Sequence, residues 1–433
     1  MPNTDDRDIA ELLDRDVSRR DVLRTGALAL GSMPLAAAVL EACGGAATRT
    51  SSGGSSTTIT IGVPVPLTGA WVVNGQNTLR GVQLAADDIN KAGGIKAMNG
   101  AQLKVAQADT SSDNPAQAAD VTRQLVSQGA TALVGSYLSS LTLTSSTAAE
   151  QAHVPMITNS FVDQLTTRGY KYLFELPPIS SVFGEKTVTY TLEMGKDVNV
   201  SVSNAAVVSS DDAAFRAQGQ QVITTAKSSG LNVVASEFYS PGINDMTPIV
   251  SKVRAAKPDI IFIGGPLDPI ILFVRTLRSL NDKTAVVGVG GGGILDPGFP
   301  QALGPASDGV LATSAWNDDL KQPGVADVAK RYRSRWKEPF MSQESGEAYV
   351  GTWVIAAALE AAKANDATKI RNAIADINLS GNNKIAQLWT GGTIGFDPNG
   401  RPKNAYPLMI EYKDRLPHTV WPKQDQVMKP FLR

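Results

Sequence analysis

From Thr58 onward the chain alternates short, continuous apolar runs with longer segments whose apolar residues recur every three or four positions. The run ITIGVPV (59–65) reads as a buried strand, and Gln76–Lys91 carries Leu79, Val82, Ala86 and Ile89 at helical spacing. Ala92-Gly93-Gly94 closes that helix, as glycines beyond a C-terminus do. The alternation continues with a strand at 103–109, a helix over Pro115–Gln128, a strand at 132–135, a helix from Ser140 and a strand at 154–158. Pro115 behind Asp113-Asn114 suits the first turn of a capped helix.

The pattern restarts after Pro177-Pro178. A helix is predicted over Val182–Met194. Strands follow at 205–210, 231–238, 259–265 and 285–290, separated by helices over Asp212–Ser229, Met246–Ala256 and Pro269–Leu280. A strand at 309–315 precedes helices over Ala326–Trp336, Glu344–Lys363 and Thr368–Ile377, and short strands near 392–396, 406–412 and 418–421. Strands separated by amphipathic helices predict parallel sheets covered on both faces. The repetition predicts an α/β protein of two doubly wound lobes.

The length of 433 residues fits two or three domains. Forty Lys and Arg against 41 Asp and Glu leave a net charge of −1, without the basic footprint of a nucleic-acid binder. One cysteine rules out a disulfide framework or a thiolate metal centre, and two histidines leave little for a histidine metal site. No metal, cofactor or catalytic residue is expected. The glycine run at 288–295 lacks a clear following helix and reads as a strand-end loop rather than a dinucleotide cradle. His153 sits at a helix-to-strand junction, His418 lies near the C-terminus, and the Ser139-Ser140 and Ser145-Ser146 pairs have no evident histidine to activate them. An enzyme is disfavoured.

Residues 1–42 have the order of an export leader: a polar start, Ser18-Arg19-Arg20-Asp21-Val22-Leu23-Arg24, an apolar stretch from Thr25 to Leu40, and then Leu40-Glu41-Ala42-Cys43. The apolar stretch is shorter than the ~20 residues a spanning helix needs. The paired arginines resemble a twin-arginine signal, with Val22 where phenylalanine is usual, and Leu-Glu-Ala-Cys resembles a lipobox with an unusual Glu41. That resemblance implies cleavage before Cys43 and lipidation of its thiol. Residues 43–57 would then be a Gly/Ser tether holding the body to the outer face of the membrane. The alternative is a secreted protein with a spare thiol.

Ligands of open α/β sheets settle at the carboxyl ends of parallel strands. There the sequence places Pro66–Trp71, Gly135–Ser140 and Asn159–Phe161 in the first half, and Asp211–Phe215, Gly264–Asp268 and Val289–Gly293 in the second. Small hydroxyl residues leading into helices either cap them or offer oxygens and N–H groups to an anion. The segments PLTGAWVVNGQNTLRGVQLAADDINKAGGI, GSYLSS, TTRGYKYLFEL, PGINDMTPIVSKVRAAKPDIIFIGG, GEAYVGTWVIAAALEAA, GFDPNGRPKN and TVWP occur in that order over residues 58–425. Together they resemble the Leu/Ile/Val-type substrate-binding proteins. The resemblance implies two lobes, 58–178 plus 314–396 and 179–313 plus 397–433, joined by three crossovers. It further implies a monomer that clamps a small solute in the interlobe cleft and delivers it to the permease of an ABC importer.

Carried over by that resemblance, the contact positions fall on Asn74, Tyr137, Leu138, Ser139, Ser160, Phe161, Val162, Phe215, Pro266 and Gly290. Trp71, Tyr137, Phe161 and Phe215 are expected to form apolar walls, and Ser139 to meet a ligand carboxylate. Three departures stand out. Val162 replaces a threonine, Phe215 lacks an aromatic hydroxyl, and Gly290 falls where the family places the acid that pairs with a ligand ammonium. A buried ammonium needs a counter-charge. Either Glu347 or Asp268 supplies it from another loop, or the ligand lacks an ammonium. The second is the preferred expectation, which sets small organic acids, aromatic acids and amides beside branched-chain amino acids. A rival reading is a sensor of the same fold coupled to a signalling partner.

Overall fold

The computed structural model describes residues 57–432. The expected leader, Cys43 and all but the last residue of the tether lie outside the described residues.

Five strands form a wholly parallel sheet: β1 (Thr58–Val65), β2 (Gln102–Asp109), β3 (Ala130–Val134), β4 (Met156–Thr158) and β5 (Leu173–Glu175), in the order β2-β1-β3-β4-β5. The crossovers are α1 (Val72–Lys91), α2 (Pro115–Ser127) and α3 (Ser139–Gln151). Asn114 caps α2 by accepting from the Gln117 N–H at 3.1 Å, with Pro115 in the first turn. β5 was not foreseen. Its three residues are too few for any period to register.

A second sheet begins after α4 (Ser180–Asp197). It holds β6 (Asn204–Ser210), β7 (Asn232–Tyr239), β8 (Ile260–Gly264), β9 (Ala285–Gly288) and β10 (Leu311–Ser314), mutually parallel in the order β10-β9-β8-β6-β7. Between its strands run α5 (Ala213–Ser228), α6 (Thr247–Ala255), α7 (Leu267–Ser279) and the short α8 (Gly298–Leu303). Both faces are covered: Ala205 and Val207 join one apolar cluster while Ala206 and Val208 join another. That is why these strands read as unbroken apolar runs rather than alternating ones.

After β10 the chain returns to the first half as α9 (Val325–Trp336), α10 (Gln343–Ala362) and α11 (Ala367–Ala375). Val328, Ala329 and Tyr332 of α9 and Val354, Ile355 and Leu359 of α10 share a core with Val82 and Ile89 of α1. A small ladder of β11 (Asn378–Leu379) and β12 (Ile394–Gly395) follows. The chain then re-enters the second sheet as the antiparallel pair β13 (Leu408–Lys413) and β14 (Leu416–Trp421), which extends it beyond β10. The backbone therefore passes between the halves three times, and each lobe is built from separated stretches of sequence. Among the described residues no helix is long and apolar enough to cross a membrane.

Candidate ligand site between the two lobes

The site grows from the strand ends of both sheets. Asp109, ending β2, accepts hydrogen bonds from the Leu67 N–H and the Thr68 hydroxyl, each at 2.8 Å. Burial opposes its charge, but these bonds and one from the Ser111 N–H hold the carboxylate below its ordinary pKa. Ser112 ties down the same loop, donating to the Thr68 carbonyl and accepting from the Trp71 N–H at 3.0 Å. The Trp71 indole is thereby fixed at the start of α1, 1% exposed.

It stacks on Phe215, the third residue of α5 on the opposite lobe, with ring centroids 5.5 Å apart and planes 8° from parallel. Asp212 positions that turn by accepting from the Phe215 N–H at 3.2 Å. Tyr137 lies 6.0 Å from Trp71, and Phe161 meets Phe215 edge-on at 6.3 Å. Phe183 of α4, which the sequence did not single out, packs edge-on against Phe161 at 5.4 Å. A second interlobe link joins Asn77 of α1 to Asp296, whose carboxylate accepts from its amide at 2.6 Å. Aromatic rings from both lobes thus meet, each at most 3% exposed.

Around these rings lie buried polar atoms that the protein leaves unused. The Tyr137 hydroxyl, Asn159 Oδ1, Gln343 Nε2, one oxygen each of Glu344 and Asp212, and both oxygens of Glu347 have no hydrogen-bond partner. Glu344 and Glu347 belong to the first turns of α10, three residues apart and so on one helix face. Ser342 caps that helix, its Oγ accepting from the Ser345 N–H at 3.4 Å. Glu344 accepts one bond, from the Asn74 amide at 3.1 Å. Burial drives its pKa up to about 7, with Asp296 adding to the shift, and burial beside Glu344 drives Glu347 well above the carboxylate range. The amides of Gln343 and Asn159 face Glu347 and favour its charged form, but neither closes a bond. The Tyr137 hydroxyl is pushed up by burial and then by the two glutamates.

The remaining expected residues divide into those the structure brings here and those it does not. Ser139 opens α3 and its Oγ accepts weakly from the Phe161 N–H at 3.4 Å. Leu138 is the cap of α3, its carbonyl accepting from Leu141 and Thr142. Ser160 spends its hydroxyl on scaffold, donating to the Tyr137 carbonyl at 2.5 Å and meeting the Thr142 hydroxyl. Val162 turns away into a cluster with Leu165, Met156 and Leu173 and takes no part in the aromatic junction. Pro266 caps α7. Gly290 has both backbone groups engaged, by Thr313 at 2.8 Å and Gln218 at 3.0 Å. A Cβ there would lie 2.2 Å from the Phe183 ring, so packing leaves room for no side chain at that position. Asp268 is exposed. Of the two candidate counter-charges, only Glu347 is buried in this cluster.

The sequence reading missed Glu344, Gln343 and Asp296, and held Asn159 and Asp212 only as members of strand-end loops, without a role of their own. The first had a signal: Glu344 and Glu347 at helical spacing within an otherwise apolar, buried helix. The others sit in caps and turns, where polar residues usually need no further reason.

These groups set a pH dependence. Burial raises Glu344 to about 7, Glu175 to about 8, and Asp296 and Asp318 each to about 6. Such acids keep in the folded state a proton that the unfolded chain has already released. The stability they contribute is therefore full only below the ordinary carboxylate pKa of about 4, falls as pH rises from there at up to ~1.4 kcal/mol per pH unit for each group, and levels off for each group above its raised value. Without solute, the unfolding midpoint by circular dichroism is expected several degrees higher at pH 5 than at pH 8. A midpoint that is flat or rising across that window contradicts this assignment of protons.

Two α/β lobes, three passages of chain and a junction of buried aromatic and unsatisfied polar groups define a two-lobed binding protein. A family model described as periplasmic binding protein matches residues 58–409, and the chain belongs to that family, in its type I form. Its members are binding proteins rather than enzymes and act outside the cytoplasm. Leu/Ile/Val-binding protein homolog 8 of Brucella abortus (strain 2308) is 25% identical over 375 residues, covering 84% of this chain and 90% of that one. Among solved structures, the isoleucine complex of a branched-chain amino acid transporter substrate binding protein from Streptococcus pneumoniae has a TM-score of 0.72 at 24% identity. It covers 83% of this chain and 98% of that one. An ABC transporter solute binding protein from R. palustris in complex with benzoate has a TM-score of 0.71 at 17% identity, covering 84% and 95%.

Proposed function

We propose that this protein is an extracytoplasmic receptor that captures a small polar solute between its lobes and hands it, chemically unchanged, to the permease of an ABC importer. Lipidated Cys43 and the tether of residues 43–57 would hold it at the outer face of the membrane. One observation carries this reading: Trp71, Tyr137 and Phe161 from one lobe and Phe215 from the other close around polar atoms that nothing in the protein satisfies. Buried polar groups are ordinarily paired, so an unsatisfied set at a two-lobe junction is complementary to a missing guest. Contacts from both lobes exist only in the closed form, so a solute that makes them shifts the population toward closure.

The relatives named above bind isoleucine in one case and benzoate in another, which sets amino acids and aromatic acids as the solute range to test. The test is a thermal-shift screen over amino acids, aromatic and short carboxylates and amides, with each hit recovered and weighed by mass spectrometry. A solute at about 100 times its dissociation constant adds ~2.7 kcal/mol, a clear rise in midpoint. Recovery of a hit in altered form, or no shift with any of these classes, refutes the receptor reading.

A further inference from the structure

The preferred expectation from the sequence was a solute without an ammonium, because Gly290 removes the acid of the second lobe. The structure points the other way. Resting on the receptor reading above, we infer that the solute carries a nitrogen cation, an ammonium or amidinium, and that Glu344 and Glu347 of α10 are its seat.

The argument is one of unsatisfied chemistry. Glu344 is 0% and Glu347 1% exposed, yet three of their four carboxyl oxygens have no partner. Among the described residues, no lysine, arginine or histidine forms an ion pair with either. Two acids on one helix face repel each other, and burial without a counter-ion disfavours both charges. A protein selected only for stability would place glutamine or leucine there.

The unpartnered Tyr137 hydroxyl and Asn159 Oδ1 are an independent sign that polar contacts here are left for a guest, since each is at most 3% exposed. Hydroxyl, amide and carboxylate oxygens together suit a donor with several N–H bonds. No three acidic groups among the described residues approach closely enough to share a metal ion, which favours an organic cation over an inorganic one. The Phe183 ring explains why the charge moved: it fills the space a side chain at position 290 would need, so the acid stands on the other side of the junction.

The test uses charge isosteres on the purified protein. Binding by calorimetry is compared for benzamidine, benzamide and benzoate, which share a phenyl ring and differ in charge, and for L-leucine against 4-methylpentanoate, which lacks the ammonium. The cationic member of each set is expected to bind roughly a hundredfold more tightly than its isostere, as a site built for a polar group rejects ligands lacking it. Glu347→Gln is expected to erase that preference while raising the unfolding midpoint of the solute-free protein. A merely structural glutamate would not do both. Glu344→Gln serves as the second variant, with the same loss of preference. If benzoate or 4-methylpentanoate binds as tightly as its cationic partner, or Glu347→Gln leaves the preference intact, the cation seat is refuted while the receptor reading stands. Failure of all five compounds to bind refutes the cation seat, and the receptor reading falls with it only if the wider thermal-shift screen is also blank.

Discussion

Trp71→Ala is expected to open the molecule rather than unfold it. The indole is buried, and Phe215 of the other lobe stacks on it at 5.5 Å. Truncating a buried tryptophan costs about 3–5 kcal/mol, but here most of that loss falls on lobe closure. The closed state should weaken by about 3 kcal/mol, which lowers solute affinity by about a hundredfold. Small-angle scattering should show a larger radius of gyration for the variant without solute, and the unfolding midpoint should move little. A large fall in midpoint with an unchanged radius would show that Trp71 is core of one lobe and no part of a gate.

Gly81→Ala is expected to destabilise the protein by about 3 kcal/mol or more, the cost of forcing volume into a packed interface. On an exposed helix the same change stabilises by about 1 kcal/mol, so the sign is the test. Gly81 lies mid-way along α1 where α10 crosses it, and a Cβ there would sit 2.2 Å from the Ser345 carbonyl oxygen. That oxygen is backbone and cannot swing aside. Chemical denaturation should give a lower midpoint with an unchanged slope. A neutral or stabilising result would mean the helices separate at no cost.

The α/β alternation was legible because continuous apolar strands and 3.6-residue periodicity are both local signals. β1, α1, α2 and the strands of the second sheet fall close to where the pattern put them. β5 and α8 were not legible: three residues and six residues carry no period, and Asp296-Pro297-Gly298 reads as a turn whichever structure follows. The aromatic walls at Trp71, Tyr137, Phe161 and Phe215 came from the resemblance combined with strand-end logic. Val162 faces away because side-chain direction at the end of a short strand depends on packing that no spacing rule reports. The charge question stayed open in the sequence for a related reason. Gly290 spoke of a missing acid and Glu347 was one offered replacement, but why position 290 is glycine depends on Phe183, distant in sequence, and Glu344 lay in a helix that reads as plain core. Sequence shows which residues are present; only the fold shows which of them are left without partners.

The crossing of α1 by α10 has a consequence in time. Residues of α1 are made early, yet the surface that covers them arrives some 260 residues later, beginning at Gln343. Until then Val82 and Ile89 have no roof, and contacts of such long sequence separation form slowly. The lobe begun first during synthesis therefore stays unfinished until most of the chain has been made. A ribosome-stalled chain ending before α10 should present that bare stripe to chaperones, and the full chain should not.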